Sequence, residues 1–293
     1  MMNNMEKKVF CSLGGGLGNQ LFEIFATISY AIKYNRDFLF TYETILPNCF
    51  IEYYRKTYWH DLLSSILNKT TYTNEYTNEY INNIPNCFIE GGFIYDEIPN
   101  TEENEILIKG HFQSYKYFLE NYDKIYDILN FENIKTNIKN EYNFFFQENR
   151  HTISIHFRLG DYKLKPKQHP ILAYTYYENS INTIMNIRQI YNPIILVCCE
   201  EEDNEYVTNV IFYLKNTNPY IDFMKIHDDI DDWKQMMLLS CCNDNIIANS
   251  TFSWWGAYLN NNNDKIVTYP SVWFGDPVPM NDFIPNNWIM IDY

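Results

Sequence analysis

No apolar run in this sequence is long enough to cross a bilayer. The longest, such as Ile194 to Cys199, fall far short of the roughly 20 residues that a spanning helix needs. The opening MMNNMEKKVFCSLGGG passes within a few residues from a polar start into a short apolar strand, leaving no room for the apolar core of a signal peptide. Both absences predict a cytoplasmic protein without a transmembrane segment, and the sequons at Asn68 and Asn249 carry little weight in that setting. Positive charge is also scarce. Lys and Arg number 22 against 37 Asp and Glu, a formal net charge of -15, which repels a phosphate backbone and argues against nucleic acid as a partner. The seven cysteines include no CxxC and no Cys/His spacing of a zinc site. Two adjacent pairs, Cys198-Cys199 and Cys241-Cys242, lie in or beside apolar runs where a thiol behaves as a small buried hydrophobe, so a reducing compartment is expected.

What is present describes a soluble globular chain. Its 293 residues suit two domains of roughly 150 residues each. The 46% hydrophobic content supplies their cores, and the mean hydropathy of -0.37 is that of a folded, water-soluble protein. The 26 tyrosines, with many Asn and Ile, resemble carbohydrate-binding material, but A/T-rich codons give a blander source.

Residues 8–13 read as a strand ending at Gly14-Gly15-Gly16, and Leu21, Phe25, Ile28 and Ile32 then recur at helical spacing until Asn35-Arg36-Asp37; FLFTY is the next strand. Residues 71–80, TYTNEYTNEY, read as a surface loop, EILIKG as a strand, and HFQSYKYF as the entry to a helix. A polar helical connection over Asn133–Asn149 places the domain boundary near 148, giving an acceptor-side domain over 1–148 and a donor-binding domain over 149–293. The second half repeats the grammar: TISIHF, PIILVCCE, IDFMKIH, DNIIANS and KIVTYP as strands, with helices from Tyr174, over Trp233–Ser240 and from near Ser253. Alternating strands and helices predict an α/β fold of two Rossmann-like domains with parallel sheets, facing a central cleft.

Three segments at strand-to-helix junctions carry chemistry. In Gly14-Gly15-Gly16-Leu17-Gly18-Asn19-Gln20, glycines let backbone approach a ligand and a helix N-terminus offers N–H groups to an anion; a tight turn capped by Asn19 and Gln20 is the structural alternative. In His156-Phe157-Arg158-Leu159-Gly160-Asp161-Tyr162, Arg158 has a planar fork suited to two diphosphate oxygens, and Asp161 could hold that fork in place. The alternative is a buried ion pair beside a core histidine. In Asn249-Ser250-Thr251-Phe252-Ser253-Trp254-Trp255-Gly256-Ala257, three hydroxyls stand beside a helix N-terminus; an ordinary N-cap over core tryptophans is the alternative.

GGGLGNQLFEIFA, HFRLGDY and NSTFSWWGAYL, in this order and at these separations, resemble the diagnostic segments of glycosyltransferase family 11, the α-1,2-fucosyltransferases, and HFQSYKYF resembles a linking segment. The resemblance implies a metal-independent GT-B-like enzyme that needs no cofactor and binds GDP-fucose as donor substrate mainly through its C-terminal half. It implies Arg158 on the β-phosphate, His156 near the guanine or the reaction centre, Ser250, Thr251 and Ser253 on phosphate, and Gly18 and Asn19 in a loop over the donor. The family usually carries an Asp where this sequence has Gln235; Asp232, one turn earlier, could substitute in guanine recognition.

An inverting transfer to an acceptor hydroxyl needs the charge growing on the leaving diphosphate to be neutralised. Arg158 and the donors around Ser250–Ser253 would do so without a metal. Asp229-Ile230-Asp231 reads as helix capping and Glu200-Glu201-Glu202-Asp203 as a solvated run. Asp161 and His169 are candidate general bases. The rivals are transfer of another GDP-sugar, and a non-catalytic carbohydrate-binding protein on the same scaffold; Arg158 and the whole NSTFSWW segment argue against the second.

Overall fold

A computed structural model describes residues 6–46, 54–147 and 149–293. The chain divides into two compact units: Met1–Glu132 with Pro279–Pro285, and Asn133–Val278 with Asn286–Tyr293. The division falls at Glu132/Asn133 rather than at 148, a position outside the described residues. Its cause is visible in the connection itself, where Lys135 donates to Leu259 O (2.7 Å) and Lys234 to Glu141 (3.0 Å), tying the polar linker to the second unit.

The first unit opens with β1 (Lys8–Cys11), α1 (Leu17–Lys33) and β2 (Asp37–Phe40), the predicted βαβ. Gly15, at φ +69, makes the turn between strand and helix, a left-handed conformation that costs glycine little. Asn35, at φ +48, ends α1 in the way that helices commonly stop. A short antiparallel ladder, β3 (Ile45–Leu46) with β4 (Arg55–Lys56), and a helix α2 (Asn78–Asn82) precede β5 (Cys87–Ile89) and β6 (Glu105–Lys109). The main sheet is parallel, in the order β2-β1-β6-β5. Phe10, Leu39 and Leu107 share a register row and form a core with Ile81, Ile84 and Tyr76. On α1, Phe22 and Phe25 pack with Phe118, Tyr122 and Phe131.

Two readings of this unit need correction. The TYTNEYTNEY tract is not wholly a surface loop: its second TNEY starts α2, where Thr77 accepts from Tyr80 N at 3.1 Å as an N-cap, and Tyr76 packs on Phe10 at 5.3 Å between centroids. HFQSYKYF does not run straight into a helix. Phe112, at φ +48, turns the chain into two 3-10 turns, Tyr115–Tyr117 and Leu119–Asn121, before α3 (Tyr122–Ile128) begins.

After α4 (Phe131–Glu141), the second unit contains β7 (Thr152–His156), α5 (Tyr174–Arg188), β8 (Ile194–Cys198), α6 (Asn204–Thr217), β9 (Asp222–Lys225), α7 (Asp232–Ser240), β10 (Asp244–Ile246), α8 (Thr251–Tyr258), β11 (Val267–Pro270) and β12 (Ile289–Ile291). All strands are parallel, in the order β9-β8-β7-β10-β11-β12. Numbered within the unit this is 3-2-1-4-5-6, the doubly wound dinucleotide-binding order. Ile153, Ile155, Ile195, Val197 and Ile246 turn to α5 and α6 and bury Ile181, Ile184, Val207, Val210 and Leu214. The alternate residues of β7 face the other way: Ser154 accepts from Asn245 at 2.7 Å, and the His156 ring meets Phe252 of α8. Both units are thus parallel α/β layers, the fold class that the alternating pattern predicts.

Candidate active site

In a doubly wound sheet the ligand crevice lies at the carboxyl ends of the strands where the order reverses. In the second unit that point lies between β7 and β10. The chain leaving β7 carries Arg158 and the chain leaving β10 carries Ser250. These are two of the three predicted segments.

Arg158 is mostly enclosed, its side chain 14% exposed. Its guanidinium pairs with Asp161 and with Glu200 and lies over the Tyr162 ring, 4.7 Å from the centroid. The pairing with Asp161 is an i,i+3 contact, the ion pair that the two readings of this segment share. The Tyr162 hydroxyl donates to Asn249 O at 3.0 Å, joining the two segments, and the His169 ring stacks on Tyr162 at 4.4 Å and 21°. Burial, with the charge of Arg158, lowers the pKa of His169 below the usual histidine value, although Asp161 opposes them. Arg158, Asp161 and His169 thus gather around one tyrosine.

His156 is 6% exposed and its Nδ1 has no hydrogen-bond partner among the described residues. Burial, reinforced by the positive charge of Arg158, drops its pKa to about 3. The ring is therefore neutral at physiological pH.

α8 begins at Thr251, not at Ser253. Ser250 is the N-cap, its hydroxyl accepting from Phe252 N at 3.3 Å. Ser253 stands one turn inside, 2% exposed, and accepts from Ala248 N at 3.1 Å. Its hydroxyl staples the strand-to-helix turn, because only an inward rotamer reaches the buried backbone of Ala248. Thr251 opens the helix and is partly exposed. The last carbonyls of α8 are met by lysine: Lys265 donates to Ala257 O (2.8 Å) and Tyr258 O (3.2 Å).

The acidic segments differ from the sequence reading. Asp231 occupies the N-cap position of α7, but its side chain makes no capping hydrogen bond; Asp232 instead accepts from Trp233 N at 2.9 Å. Gln235 donates to Ile230 O at 2.8 Å and accepts from the Cys198 thiol at 3.2 Å, so its amide ties α7 to the end of β8. Glu200–Asp203 is not simply solvated. Glu200 reaches Arg158, while Asp203 is buried, pairs with Lys163 and accepts from Gly160 N at 3.0 Å. Carboxylate oxygens of Glu200, Glu202 and Asp203 lie within 4.8 Å of one another, but protein cations already balance two of them.

Gly18 and Asn19 lie in the first turn of α1, in the first unit. Gly16 is the N-cap, without a side-chain capping bond; Asn19 accepts from Gln113 at 3.0 Å and Gln20 donates to Gly15 O and Lys56 O. Neither side chain caps the helix in the way the structural alternative supposed. Sequence reasoning missed Glu200 and the stacking role of Tyr162, and in the first unit it missed the pairing of Glu23 with His111. For Tyr162 a signal existed, an aromatic one residue after Asp161; the other two are contacts distant in sequence.

The chain is similar to known proteins over most of its length. The chain is 26% identical over 297 residues to the Escherichia coli O-antigen biosynthesis glycosyltransferase WbnK, covering 91% of this chain and 95% of that protein. It is 28% identical over 203 residues to an E. coli α-1,2-colitosyltransferase, covering 67% of this chain and 66% of the relative. Among solved structures, POFUT1 in complex with GDP aligns at a TM-score of 0.48 and 9% identity, covering 92% of this chain and 99% of that one. Residues 60–292 match the family model named Glycosyl transferase family 11. That span holds the whole β7–β12 sheet, the Arg158 turn and the N-terminus of α8, and the chain belongs to glycosyltransferase family 11.

Proposed function

We propose that this glycosyltransferase moves L-fucose with inversion from GDP-fucose to a hydroxyl of an acceptor glycan, the 2-hydroxyl of a galactoside being the one that the family implies. One observation carries the reading: at the switch point of a 3-2-1-4-5-6 sheet, the Arg158 fork and the N-terminus of α8 leave neighbouring strand ends in a family 11 chain. The second unit would be the donor domain and the first the acceptor-side domain. Arg158 would take two diphosphate oxygens as a fork, with Asp161 and Tyr162 keeping it aimed. The Ser250 hydroxyl accepts from Phe252 N and keeps its own hydrogen to donate to phosphate. Thr251 would add a second hydroxyl, and Ser253 would act through the turn it holds. His156, as a neutral ring, suits a contact with the guanine or the sugar better than one with phosphate. Asp232 would stand in for the guanine-reading carboxylate, and Gly18 and Asn19 would belong to a loop over the donor.

A second reading, transfer of a different sugar, is favoured by the α-1,2-colitosyltransferase relative. Both are tested by offering purified protein a panel of GDP-sugars with β-galactoside acceptors, with and without EDTA. We expect GDP-fucose to be consumed and a fucosylated product of inverted anomeric configuration to form, in EDTA as in buffer. Exclusive use of another GDP-sugar overturns the fucose assignment. Activity lost to chelation and restored by Mn²⁺ overturns the proposal that protein groups alone meet the diphosphate.

A further inference from the structure

Both terminal nitrogens of Arg158 are already engaged by protein: Nη2 donates to Asp161 and Nη1 to Glu200. Every bidentate pair of guanidinium nitrogens includes Nη1 or Nη2, so any two-oxygen grip must share a nitrogen with one of these carboxylates. Charge sharpens the conflict. The contacts around the fork gather Arg158 and Lys163 with Asp161, Glu200, Glu202 and Asp203, two cations against four carboxylates. A diphosphate arriving there is repelled by the surplus unless a carboxylate moves away.

Glu200 is the one placed to move. Asp203 is held: its side chain is fully enclosed, pairs with Lys163 and accepts from Gly160 N at 3.0 Å. Asp161 is held by its position three residues from Arg158 in the same turn, its side chain 20% exposed. The Glu200 side chain is 49% exposed and stands where the chain leaves β8, just before the 3-10 turn Glu201–Asp203. Backbone closes that turn, Asp203 N donating to Glu200 O at 3.0 Å, so the side chain can swing without undoing it.

The seat of this carboxylate is shaped for it. Gly160 adopts φ +37, and a Cβ there would come within 2.5 Å of Glu200 Oε2. Glycine tolerates that backbone and leaves the carboxylate room to reach Arg158. Burial opposes the charge of Arg158, and Glu200 contributes most to keeping its pKa above the ordinary arginine value. Once Glu200 is gone, an enclosed guanidinium has lost its strongest compensation and attracts another anion more strongly.

We propose that Glu200 is a resident anion that competes with the donor diphosphate for Arg158, and so sets how tightly GDP is held and how fast it leaves. The proposal rests on the reading above in which Arg158 meets the diphosphate. On donor binding, Glu200 yields Nη1 and turns toward solvent. After transfer it returns to Arg158 and helps to expel GDP.

The test measures GDP affinity by calorimetry and GDP release by stopped flow in wild type, Glu200→Gln and Glu205→Gln. The last removes the same charge from the exposed first turn of α6. We expect Glu200→Gln to bind GDP about tenfold tighter, the gain lying mainly in slower release, and Glu205→Gln to stay within about twofold of wild type. Unchanged or weaker binding in Glu200→Gln overturns the proposal, since a carboxylate that merely supports Arg158 gives no gain when removed. Equal tightening in both variants overturns it as well, because net charge then accounts for the effect. Should Glu200→Gln fail to fold, Glu200→Asp, one methylene shorter and drawn back from Nη1, decides: tighter GDP binding supports the competition, and unchanged or weaker binding overturns it. Wild type that binds no GDP refutes the donor reading instead.

Discussion

At the residue scale the second unit is organised by Arg158. Its charge is balanced by Asp161 and Glu200, and its plane is supported by Tyr162. Replacement by Lys keeps the charge but loses the fork and most of the stacking. We expect Arg158→Lys to cost about 100-fold or more in transfer, the scale of removing one transition-state donor; a folded variant at near wild-type rate would remove Arg158 from the proposed role. His156 behaves differently. Because burial lowers its pKa to about 3, acidification protonates the unfolded chain first, so this residue weakens the fold as pH falls below about 6.5 while the native ring stays neutral. The Arg158–Asp161 pair was legible because a three-residue separation is fixed by the local turn. Glu200 lies 42 positions from Arg158 and Glu23 lies 88 from His111, and nothing in a linear pattern joins such partners.

At the element scale, α8 is an eight-residue helix with both ends provided for: Ser250 at the start, Lys265 and Lys135 on the final carbonyls. The two serines at its start separate by role. Ser250→Ala removes an N-cap, worth about 1 kcal/mol. Ser253→Ala leaves the buried amide of Ala248 without its acceptor, worth about 1–3 kcal/mol. We expect urea unfolding to rank Ser253→Ala as the more destabilised variant, with calorimetry showing the larger loss of GDP affinity in Ser250→Ala. The reverse order in either measurement would exchange the two assignments. Most strands were legible because each is an apolar run stopped by a turn residue. The second TNEY was not, since the same tetrapeptide forms a turn at 73–76 and starts a helix at 77–80. What decides between them is the seat of Tyr76 on Phe10 and the bonds from Asn78 to the backbone of Tyr42.

At the scale of the whole molecule, each unit has its own sheet and its own core. A ligand met by one of them stabilises the native state by about 2.7 kcal/mol when present at a hundredfold its Kd. For a unit of this size we expect GDP to raise the melting transition that carries the second unit by roughly 5–10 °C. No shift in scanning calorimetry, with GDP shown to be saturating, would mean that the nucleotide site is not built on this unit. The division into two α/β layers was legible from the repeated strand and helix grammar. The position of the division was not, because the polar segment that looks like a linker is attached by Lys135 and Lys234 to one unit.

The segment Pro279–Pro285 belongs with the first unit although it lies between β11 and β12 of the second. It is anchored there by Ser114, which donates to Asp282 O at 2.6 Å, by the pairing of Lys116 with Asp282, and by Phe283 against Phe22. During synthesis the ribosome delivers nearly all of the first unit, then five strands of the second sheet, then the piece that finishes the first, and only then the sixth strand. The first unit cannot complete itself until most of the second has been made, and no single cut in the gene yields two whole folding units. A fusion or split-protein design that treats the middle of the chain as a seam would leave the N-terminal product without its final packing segment, while the C-terminal product keeps all six strands and carries that segment without its seat.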